Sequence, residues 1–169
     1  MSSLLSYVVM VYALYMVLKV YISFMQIGYI KDEMRKEAVL LDPEDYASAG
    51  RYAVTKEKMS ILGSFIEFWI FLFWVGFGLS WLQNSIHLEN DILQAVVFVD
   101  VLIIINYFIG LPMDIYEKFI VDTKFGFNKM SFSLFVLDSL KGAVLFLIFG
   151  SAVIAGIAYF VLNFELWWL

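Results

Sequence analysis

The sequence predicts an all-α membrane protein with four transmembrane helices, helices two and three extending into the cytoplasm. Three observations carry that expectation. Hydrophobic residues make up 63% of the 169-residue chain and charged residues only 16%, against about 45–50% and about 25% in soluble domains. The charges are gathered: of 11 basic and 16 acidic residues, thirteen lie between Lys31 and Lys58 and six between Asp114 and Lys129. Between the clusters run four apolar segments, residues 4–30, 60–82, 92–115 and 134–162, each longer than the about 20 residues that cross about 30 Å of hydrocarbon as helix. Lipid offers no partner to free backbone groups, and no period-two alternation suggests a barrel.

The first segment begins after Met1-Ser2-Ser3, with no basic leader and no small-residue cleavage site, so it reads as a retained anchor and not a signal peptide. Asp42-Pro43-Glu44-Asp45 marks a helix start, with Asp42 at the N-cap, Pro43 at the first helical position and acids in the first turn. Helix two then runs without a proline as far as residue 82, well beyond the bilayer. Helix three passes Pro112, where a kink is expected. It continues with Ile115, Tyr116, Phe119 and Ile120 on one face. Gly126 suits a helix stop and Asn128 or Ser131 a cap for helix four. No repeat or linker interrupts the chain, and one domain is the simplest division.

Lys and Arg orient the bundle. The first loop holds Lys31, Arg35, Lys36, Arg51, Lys56 and Lys58, the third Lys118, Lys124 and Lys129, and residues 83–91 hold none. The positive-inside rule therefore places loops 31–59 and 116–131 in the cytoplasm and both termini outside. Trp81, Trp167 and Trp168 read as anchors at the outer interface.

Composition also excludes chemistry. Net charge is −5, weak and mixed in sign, so nucleic acid is not an expected partner; the lipid bilayer is. With no cysteine and a single histidine, His87, the chain cannot supply about three zinc ligands, and it carries no H-E-x-x-H. No Gly-x-Ser-x-Gly elbow is present, and Gly76-Phe77-Gly78 inside a membrane helix reads as a packing surface. The intramembrane polar residues are Lys19, Glu67, Asp100 and Asn106. A charge in hydrocarbon costs roughly 2.5–3.5 kcal/mol. Either Lys19 and Glu67 pair, or Lys19 snorkels while Glu67 sits protonated in a helix contact.

From Gly110 onward the sequence becomes distinctive. The run Gly110-Leu111-Pro112-Met113-Asp114-Ile115-Tyr116, then Phe119-Ile120-Val121-Asp122, Lys124-Phe125-Gly126-Phe127-Asn128-Lys129, Phe135 and Asp138-Ser139-Leu140-Lys141 resembles the amino-terminal membrane region of the CAAX prenyl protease 1 family. Asp42-Pro43-Glu44-Asp45-Tyr46, Arg51-Tyr52 and the stretch from Lys56 to Ser60 are similar to that family's first loop and second helix. The resemblance implies membrane-embedded zinc metalloendopeptidases whose seven helices enclose a wet chamber. It further implies that the catalytic glutamate and all zinc ligands lie beyond Leu169. Residues 1–169 are then the amino-terminal transmembrane domain, with no catalytic or metal residue and no cofactor of its own. The turn at Phe125, Gly126, Phe127 and Asn128, with Asp138 and Lys141, is expected to brace the catalytic portion, and Asp100 and Asn106 to face the chamber.

The leading expectation is a non-catalytic scaffold of a zinc endopeptidase acting on prenylated or membrane-associated peptides, inactive alone. Its expected partners are the catalytic portion or a further copy of itself, with peptide substrate only in the intact enzyme. The alternative is a stand-alone membrane adaptor or pseudoprotease that acts by protein interaction. A channel or transporter would call for broken helices or acidic rings, which the sequence does not suggest.

Overall fold

The computed structural model describes residues 3–36 and 42–164. It is all-helical over those residues. Four helices are long and apolar enough to cross a membrane: α1 (Leu4–Glu33), α2 (Pro43–Ser85), α3 (Asp91–Asp122) and α4 (Phe132–Asn163). The protein is an integral, multi-pass membrane protein. Both ends of α2 and α3 exceed the apolar segments that seed them, because polar flanks with good caps continue the same backbone pattern.

Local chemistry explains the helix ends. Pro43 opens α2 after Asp42, whose φ of −58° and ψ of 145° are those of a cap, but the Asp42 side chain makes no capping hydrogen bond. Its contribution is backbone geometry, its carbonyl accepting from Tyr46 N at 2.9 Å, together with negative charge at the helix start. Asn90 caps α3 by accepting from Leu93 N at 2.9 Å, and Ser131 caps α4 by accepting from Leu134 N at 3.2 Å. Of the two candidate caps for the fourth helix, Ser131 is therefore the one used.

Three stretches widen to π-helix: Trp74–Gly78, Glu117–Asp122 and Phe146–Gly150. Pro112 sits inside α3 without ending it; its missing N–H leaves a carbonyl one turn earlier unbonded, and the π geometry follows within the next two turns. Gly76 lies in the first π stretch, and a Cβ there would meet nothing within 4 Å among the described residues.

The chain divides into two compact units, residues 1–76 and 77–169. In the first, α1 and the N-terminal part of α2 run antiparallel, Tyr12 stacking on Phe71 at 4.3 Å near one end and Tyr46 donating to Glu33 O at 3.2 Å near the other. In the second, α3 packs antiparallel against the C-terminal half of α4. Trp81 is half-exposed, as an interface anchor would be; Trp167 and Trp168 lie outside the described residues.

Candidate functional site

In the first unit the polar side chains meet across the helix seam. Lys19 Nζ donates to Glu67 Oε2 at 3.1 Å. Its side chain is 33% exposed and that of Glu67 54%, so the pair sits at the rim of the seam, cancelling net charge where an unpaired charge would face hydrocarbon. Two turns along α1, the Gln26 amide donates to both Glu57 oxygens, at 2.5 and 3.2 Å, in the orientation that satisfies both groups. Between these contacts lie Ser23 and Ser64, both buried; the Ser64 hydroxyl donates to Ser60 O at 2.8 Å. Further down, Gly50 leaves room for the Met34 side chain, into which a Cβ would run. Small residues let backbones approach and polar ones bond across the gap, the usual means of holding helices together in lipid.

In the second unit a side-chain clasp joins the helices. Ser151 Oγ donates to Asp100 Oδ2 at 2.8 Å, joining α4 to α3. The other carboxyl oxygen, Oδ1, is buried without a hydrogen-bond partner among the described residues. Ser151 follows directly on the π stretch Phe146–Gly150, and such bulges re-aim side chains. Asn106 Nδ2 donates back to Leu102 O of its own helix at 2.8 Å.

The turn between α3 and α4 carries its own network of hydrogen bonds. Gly126 has φ of 79°, a left-handed geometry that suits glycine at a helix stop. Phe127 N and Asn128 N both donate to Asp122 O, at 2.8 and 3.2 Å. Asn128 Nδ2 donates to Thr123 Oγ1 at 3.1 Å, and its Oδ1 accepts from Met130 N at 2.8 Å. Asn128 therefore ties the turn to itself, while Phe127 is exposed. Asp138 and Lys141 pair with each other at 3.7 Å, three residues apart on α4.

His87 is exposed, its Nδ1 2.9 Å from Ile86 O. Among the described residues no three His, Cys, Asp or Glu side chains gather where a metal could be held. The donor set of the described residues does not fit a zinc centre.

Three features were not anticipated from the sequence: Ser151 as partner of Asp100, the Gln26–Glu57 contact and the buried serines. A signal for the latter two exists. Lys19, Ser23 and Gln26 share one face of α1, and Gly50, Glu57 and Ser64 recur every seven residues on α2.

The family model described as CAAX prenyl protease N-terminal, five membrane helices, matches residues 32–169. The chain belongs to that family. The matched residues contain three of the four long helices. Among curated relatives, a CAAX prenyl protease 1 homolog of Oryza sativa subsp. japonica is 33% identical over 79 residues, covering 47% of this chain and 19% of its own length. One from Dictyostelium discoideum is 24% identical over 143 residues, covering 82% of this chain and 33% of its own. The chain thus spans between about a fifth and a third of the length of these relatives. The crystal structure of S. mikatae Ste24p shares the fold, with a TM-score of 0.86 at 17% identity, over 98% of this chain and 41% of that one.

Proposed function

We propose that this chain is the non-catalytic membrane scaffold of a CAAX prenyl protease-type zinc endopeptidase, forming part of the wall of a chamber in which prenylated or membrane-associated peptides are cut. The observation that carries the reading is the family match over residues 32–169 in a chain with one histidine and no cysteine. Catalysis and zinc binding fall to a separate portion, and loops 31–59 and 116–131 face the cytoplasm, with both termini outside. That orientation rests on the basic residues of those loops and their absence from residues 83–91. Asp138 and Lys141 at the start of α4, with the 125–129 turn, brace the catalytic portion on the cytoplasmic side; Asp100 and Asn106 belong to the chamber side.

Two measurements test this. The chain lacks cysteine, so single cysteines at Leu88 and at Ser48 form a clean accessibility pair. An impermeant thiol reagent should label the first from outside and the second only after the membrane is opened; the reverse pattern overturns the orientation. Purified chain supplied with zinc should leave a prenylated CAAX peptide intact, and cleavage would overturn the scaffold role.

A further inference from the structure

We draw no further inference here: the strongest candidate, the Asp100–Ser151 side-chain cluster between α3 and α4 with its buried carboxyl oxygen, belongs to the site already described.

Discussion

The α1–α2 hairpin and the α3–α4 pair are both antiparallel helix pairs, the second the more apolar, and they are held differently. The hairpin is joined along its length by Lys19–Glu67, Gln26–Glu57, buried Ser23 and Ser64 and the Gly50–Met34 contact. Among the described residues the α3–α4 pair carries the Asp100–Ser151 clasp and an aromatic cluster at its far end, with a groove between. Lipid tails are as apolar as leucine, so apolar side chains alone do not draw helices together. Small and hydrogen-bonding residues do, and where they are sparse the helices part and leave a groove.

The comparison breaks most readily at Glu67. Glu67→Lys sets two ammonium groups against each other and should destabilise the hairpin by about 2–3 kcal/mol, the cost of a lone charge in hydrocarbon. Adding Lys19→Glu should restore most of the loss. Detergent melts in which the single and double variants behave alike would refute the pairing. Next in size is the turn beyond the groove. Gly126→Ala forces a Cβ into left-handed geometry at φ 79° and should cost about 1–2 kcal/mol, with amide exchange accelerating at residues 125–130.

The Asp100 clasp sharpens the contrast further. Ser151→Ala removes a donor to a carboxyl whose other oxygen has no partner among the described residues, and should cost about 1 kcal/mol. Replacing both, as Asp100→Leu with Ser151→Ala, should be nearly neutral, because no unsatisfied group remains. A larger loss for the double variant than for Ser151→Ala would show that the clasp does more than satisfy itself.

The smallest effect lies at the end of the hairpin. The Glu33 carboxylate raises the Lys36 ammonium above its ordinary value of 10.5, first by the hydrogen bond at 2.6 Å and then by its charge. A raised lysine stabilises the folded state fully below its ordinary value and loses that contribution as pH climbs through the raised one. Glu33→Gln should return Lys36 toward 10.5, read by nuclear magnetic resonance of the side-chain nitrogen.

Much of this was legible beforehand. The resemblance at Gly110-Leu111-Pro112 and at the turn from Phe125 to Lys129 agrees with the family match. Four apolar segments became four helices, and Gly126 took the left-handed geometry expected of a stop. Lys19 and Glu67 were two of four intramembrane polar residues, and they meet. Asp100 showed no partner in sequence, because Ser151 is 51 residues away and a serine in an apolar run looks like any small residue. The groove was invisible too, since Phe108, Phe135 and Phe146, which line it, read equally well as lipid-facing.

Membrane residence, the four apolar spans and the glycine at the turn were settled by the sequence alone, because hydropathy and turn chemistry act between near neighbours. Which faces meet was decided only by tertiary structure. In water an apolar stripe marks the side that must be covered; in lipid both the covered and the exposed sides are apolar. Helix rotation and register, which no short window of residues encodes, then choose the partners.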